Sequence, residues 1–156
     1  MRAYQVFAAM EAERAVDLLN TLRETSPAVY TQAVAAASAA LKARPRFLMK
    51  QPPDKRAQLV RRALARVAAS DLAEEVLAAY FLGARKELLI EWLDAVGVEH
   101  EEGALKVEEP ECPPRDKLDT AVSDFLSGEN TPDRELLLRA FAAQSAIDWP
   151  DLEAGF

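Results

Sequence analysis

Apolar residues return every three or four positions along most of this chain, the repeat of helices that bury one side rather than of strands. Tyr4, Phe7, Ala8, Ala15, Leu18, Leu19 and Leu22 share a side of a helix predicted over Tyr4–Arg23. Alanine and leucine dominate, there are only two isoleucines, and arginine (13) outnumbers lysine (6), a bias toward helix formers over β-branched strand formers. With 156 residues, half of them hydrophobic, a single domain would bury about 70% of its unfolded surface. The expected fold is therefore all-α, a single-domain bundle of about seven helices.

Helix punctuation supports that division. Ser26–Pro27, Ser70 and Thr131 have the chemistry of helix starts, and Gly83, Gly97 and Gly128 that of stops. Three prolines between Arg44 and Pro53 leave room for at most one helical turn around Phe47, Leu48 and Met49. A basic amphipathic helix is predicted from Pro53 to about Ala69, with Val67 on its apolar arc. Others follow over Asp71–Leu82, Arg85–Val96, Arg115–Ser127 and Pro132–Gln144. Residues 98–107 break the pattern. With Glu102–Gly103 as a turn, Val98 faces Val107, His100 faces Leu105 and Glu99 faces Lys106, the layout of a short β-hairpin. The expected organisation is a main bundle over 1–97, a hairpin and proline-rich linker over 98–114, and a helical pair with a docked apolar tail over 115–156.

Charge is divided along the chain. Residues 42–66 hold nine basic side chains against Asp54 alone, whereas the whole chain carries −7. From Asp71 onward there are 21 acids and seven bases. Within the basic stretch Lys55, Arg61, Arg62 and Arg66 form a candidate basic patch for phosphate or nucleic acid. Phe47 is the only ring among those cations, too little for a single-strand stacking platform, and the acidic remainder opposes a polyanion.

Little in the sequence carries catalytic chemistry. One histidine, His100, and one cysteine, Cys112, supply too few ligands for a zinc or haem site. His100 is surrounded by Glu99, Glu101 and Glu102, whose charges favour its protonated form. Cys112 sits between Glu111 and Pro113, an acidic setting that disfavours a thiolate. No glycine-rich phosphate loop, nucleophile elbow or calcium loop is present.

Four carboxylates, Asp71-x-x-Glu74 and Glu91-x-x-Asp94, fall on neighbouring predicted helices as candidate metal ligands. The layout resembles the acidic motifs of the all-α nucleotide pyrophosphatases, with Asp71 where that family has glutamate. The resemblance implies a magnesium-dependent nucleotide hydrolase. Against it, Glu87, Glu91 and Asp94 lie opposite the Leu89 and Trp92 face, as a solvated stripe does.

The function expected by elimination is that of a non-catalytic protein-interaction or scaffold protein, bacterial-type and cytoplasmic, whose partner is another protein or a second copy. No cofactor or metal is implied. The alternatives are the metal-dependent hydrolase and a nucleic-acid-associated protein using residues 42–66. No membrane span is expected, because Thr25–Leu41, the longest uncharged run, is too short and too polar. Glu11 and Glu13 interrupt the apolar Tyr4–Met10, which argues against a secretion signal.

Overall fold

A computed structural model describes all residues, 1–156. The chain is all-α apart from one two-stranded ribbon, in the order α1 (Ala3–Ala9), α2 (Ala12–Thr25), α3 (Pro27–Ala40), α4 (Pro45–Lys50), α5 (Pro53–Leu64), a 3-10 turn (Val67–Ala69), α6 (Ser70–Ala84), α7 (Lys86–Val96), β1 (His100–Glu101), β2 (Ala104–Leu105), α8 (Arg115–Leu126), α9 (Thr131–Ala142) and α10 (Pro150–Glu153). Ten helices replace the expected seven because the first stretch is divided at Met10–Glu11 and two short segments, Pro45–Lys50 and Pro150–Glu153, are helical as well. No helix is long and apolar enough to cross a membrane. Two compact units result, Arg2–Ala84 and Arg85–Phe156 together with Met1.

In the first unit α2 packs against α3, α5 and α6, while α1 lies on α5 and α6 and α4 lies on α3. Its core is built from Phe7, Leu18, Leu19, Leu22, Leu64, Leu77 and Tyr80, each no more than 2% exposed. Alanines 33, 37, 57, 63 and 73 are buried among them, and such small side chains let helix axes approach closely.

The single helix expected over Tyr4–Arg23 is two. Met10 and Glu11 adopt extended backbone, Met10 is buried, and side chains from α5 hold the backbone on either side of the break. Arg61 donates to Met10 O and Gln58 Nε2 to Ala12 O at 3.0 Å. Tertiary partners thus offset a break that local propensity does not call for.

The basic helix stops at Leu64, five residues early, so Val67 falls in the 3-10 turn and is 71% exposed instead of facing the core. Ser70 is the first residue of α6 rather than its cap. Gly83 does not end α6; it lies in the last turn, where an added Cβ would come within 3.3 Å of Thr25 at the end of α2. Its missing side chain permits a close approach.

The second unit is organised by rings. Trp92 on α7 contacts Phe125 on α8 at 5.4 Å and Phe141 on α9 at 5.8 Å, and Phe141 in turn meets Trp149 at 5.1 Å. Residues 86–96, grouped in sequence with the helices before them, pack here with α8 and α9. Gly97 ends α7 in the left-handed region at φ 73°, and Val98 N–H reaches back to Leu93 O at 2.9 Å, as a glycine stop requires.

The hairpin forms in the predicted register, His100 opposite Leu105 and Glu101 opposite Ala104, with Lys106 N–H donating to Glu99 O at 3.0 Å. Glu102 and Gly103 both take positive φ, 53° and 89°, the mirror-image turn that suits the twist of a two-residue hairpin. Lys86 pairs with the Glu102 carboxylate and holds its pKa below the usual glutamate value, mainly through that hydrogen bond. The N-cap position of α9 is Asn130, left-handed at φ 60° and without a side-chain capping bond, and Thr131 is the first helical residue. The apolar tail docks as expected, with Ile147, Trp149 and Leu152 buried and Trp149 Nε1–H donating to Pro110 O at 2.8 Å.

Arg134 locks the turn between α8 and α9. Its guanidinium is bidentate on Glu91, at 2.7 and 3.0 Å, donates to Phe125 O at 3.1 Å and Glu129 O at 2.7 Å, and lies 4.6 Å from the Phe125 ring centroid. Gly128 is required beside it, because a Cβ there would stand 2.4 Å from Arg134 Cζ. Gly128→Ala should therefore destabilise the fold by about 2 kcal/mol, and Arg134→Ala by about 2–4 kcal/mol, since it removes the side-chain donor of Glu129 O, leaves Phe125 O only the Gly128 N–H at 3.3 Å and frees a half-exposed carboxylate. In the Arg134→Ala background, Gly128→Ala should be almost neutral. A double-mutant cycle by urea denaturation measures this coupling.

The two tryptophans should differ when replaced. Trp92 Nε1 is buried without a partner, so Trp92→Phe loses only packing. Trp149→Phe strands the Pro110 carbonyl as well and should cost about 1–2 kcal/mol more. Either residue changed to alanine should cost about 3–5 kcal/mol, read by thermal and chemical melts.

Candidate interaction surface

Prolines set the limits of α4. Pro45 is its first residue and Pro52–Pro53 open α5, so only six residues, Pro45–Lys50, are helical between them. At about 100° per residue, such a helix can bury one side chain fully, and Leu48 is that residue at 0% exposure. Phe47 and Met49 project about 100° to either side of Leu48, and Arg46 and Lys50 share the outward pole. The outer surface is thus a cationic ridge with two apolar shoulders. Phe47 is 55% and Met49 54% exposed, and Lys42, Arg44, Arg46 and Lys50 are all exposed.

Arg56 fixes this arrangement from beneath. It is buried at 6% exposure, donates Nε–H to the Tyr30 hydroxyl at 2.6 Å, and places Nη1 against Met49 O at 3.0 Å and Gln51 O at 3.4 Å. Tyr30 belongs to α3, so one guanidinium ties the C-terminal carbonyls of α4 to the bundle. Isolated exposed apolar side chains are ordinary on protein surfaces. A phenylalanine and a methionine held open on opposite shoulders of one clamped turn are a more specific feature.

The four residues expected to form a basic patch separate into two kinds. Lys55 and Arg62 are exposed on α5, two turns apart and on one stripe. Arg61 is half-buried and donates to Met10 O, and Arg66, exposed beyond the end of α5, donates to Ala40 O at 3.0 Å. Accessible positive charge also extends over α4, whose part in a surface the charge count missed. Phe47 among prolines and cations was the available signal.

The four carboxylates named as candidate metal ligands do not act together. Glu91 is held by Arg134 and Asp94 accepts from His100 Nε2 at 2.7 Å, while Asp71 and Glu74 lie on α6 in the other unit. No three His, Cys, Asp or Glu side chains are gathered so as to hold a metal ion. An open groove of about 590 Å³ between α7 and α8 is lined by Glu91, Asp116, Lys117, Thr120, Asp124 and Phe125. Its carboxylates form no group that could hold a metal ion.

His100 is committed to the hairpin. Gly103 N–H donates to Nδ1 at 3.1 Å, which makes Nδ1 an acceptor and places the proton on Nε2, toward Asp94. Cys112 is half-buried, and burial, followed by the charge of Asp151, pushes its thiol pKa up. The carboxylate that matters is distant in sequence and is not the adjacent Glu111. Alkylation of Cys112 by iodoacetamide at mildly alkaline pH should be slower than that of free cysteine and faster in Asp151→Asn, which removes the charge opposing the thiolate. Mass spectrometry of the adduct over time provides the readout.

Comparison with protein-family models, curated proteins and solved structures finds no match to this chain.

Proposed function

We infer that this chain is a non-catalytic protein-interaction protein whose docking surface is the outer face of α4, and that its partner presents carboxylates around an apolar patch. The observation that carries this reading is the pair of half-exposed shoulders, Phe47 and Met49, on either side of the Arg46–Lys50 ridge. None of Lys42, Arg44, Arg46 and Lys50 pairs with an acid of its own chain, so their charge is available to a partner. Desolvating the two shoulders supplies affinity, while the ridge sets orientation and encounter rate.

An acidic protein surface fits better than a polyanion. Arg61, half-buried, and Arg66, at the surface, each already donate to a backbone carbonyl, and Phe47 is the only aromatic side chain beside the ridge. A flexible backbone rich in phosphates would leave Met49 without a complement, whereas a folded or extended peptide with alternating acidic and apolar groups meets both ridge and shoulders.

A fluorescent peptide of alternating glutamate and leucine, titrated with the full chain, tests the assignment by anisotropy. Binding should weaken as salt rises. Phe47→Ser with Met49→Ser should weaken it by roughly tenfold or more, with the circular dichroism unchanged because both side chains are exposed. Lys55→Glu with Arg62→Glu, off α4, should have a much smaller effect. Equal binding by the Phe47/Met49 variant, or no binding by either protein, overturns the proposal.

A further inference from the structure

We propose that the partner is a second copy of this chain, whose acidic strip over residues 99–111 docks on α4; this rests on the reading of α4 given above. Each surface supplies what the other lacks. Six glutamates, Glu99, Glu101, Glu102, Glu108, Glu109 and Glu111, fall within these thirteen residues against Lys106 alone. All six are exposed, and only Glu102, through Lys86, has an ion pair within the chain. Among them Val107 is 40% exposed, an apolar group rimmed by carboxylates, the counterpart of a cationic ridge between apolar shoulders.

The strip is an ordered surface rather than a loose acidic tail. At one end the hairpin is pinned by His100 on Asp94 and Lys86 on Glu102. At the other the buried Pro110 carbonyl accepts from Trp149. The chain between these anchors is held in place before any encounter, so docking orders little new backbone.

The charge division has the same sense. The unit from Arg2 to Ala84 holds 12 basic and 8 acidic residues, net +4, and Arg85–Phe156 holds 7 basic and 18 acidic, net −11. Copies therefore attract through unlike surfaces, and the long-range field favours approach of one copy's basic unit to another's acidic unit. An anionic lipid surface would also suit Arg46, Lys50, Phe47 and Met49, but the −11 carried by the rest of the chain is repelled by such a surface. Because the two faces differ, each copy can give one contact and receive another.

Sedimentation velocity of the full chain from micromolar to submillimolar concentration tests the pairing, with anisotropy of the acidic peptide run in parallel. The mass should rise with concentration and fall back toward the monomer at high salt. Arg46→Glu with Lys50→Glu should weaken self-association by at least about tenfold, as should Glu108→Lys with Glu109→Lys. Mixing the two variants should restore association, because the unaltered strip of the first meets the unaltered ridge of the second.

A chain that stays monomeric at submillimolar concentration and low salt while α4 still binds the peptide overturns self-pairing and leaves the docking surface standing. Loss of peptide binding removes both. Association that survives both charge reversals, or a mixture that stays monomeric, overturns the assignment of these faces. Adsorption to phosphatidylserine vesicles at concentrations where no self-association is seen overturns it in favour of a membrane.

Discussion

A carbonyl released where a helix stops must find a donor, and in this chain arginine repeatedly provides one. Arg61 reaches Met10 O at the break between α1 and α2, Arg66 reaches Ala40 O at the end of α3, Arg56 takes Met49 O and Gln51 O at the end of α4, and Arg134 takes Phe125 O and Glu129 O after α8. A planar guanidinium can serve several acceptors at once, which an ammonium on a single-point stem does less well. The excess of arginine over lysine acquires a structural reason here. These side chains let long helices break and turn without leaving orphaned backbone groups.

The same economy changes what the basic stretch means. Counted by sequence, residues 42–66 form one electropositive block. In the fold, Arg56 is internal and Arg61 and Arg66 are partly committed, so the free cations gather near α4 and on one stripe of α5. Charge that looked like a phosphate site is divided between a scaffold beneath the surface and a ridge upon it.

What was legible in the sequence was whatever is enforced locally. Gly97 marks the end of α7 because only a residue without Cβ takes its left-handed backbone at no steric cost, and the hairpin register follows from a two-residue turn and the facing of His100 with Leu105. The docked tail was readable because Ile147, Trp149 and Leu152 are costly to leave in water. The break at Met10–Glu11 was not, since nothing nearby disfavours helix there and its donors lie about fifty residues away on α5. Gly83 and Gly128 resemble stop signals, yet their role is to leave room for Thr25 and Arg134, a steric fact visible only once distant elements meet. Of the candidate site, Phe47 stood out as a lone ring among cations. Its exposure could not be read, because a six-residue helix shows no periodicity from which to tell the buried side from the open one.

The prolines around α4 have a thermodynamic corollary. Pro45, Pro52 and Pro53 narrow the conformations open to this segment before folding, and the Arg56 clamp removes most of what remains once the bundle has formed. The conformational entropy of presenting Phe47 and Met49 is therefore lost during folding and is not charged again at the moment of contact. A rigid turn of this kind changes its association rate when the charges of its ridge are altered, and its dissociation rate when its apolar shoulders are. Loosening the clamp at Tyr30 would have a different effect: the same groups would still be exposed, but they would be scattered over many orientations.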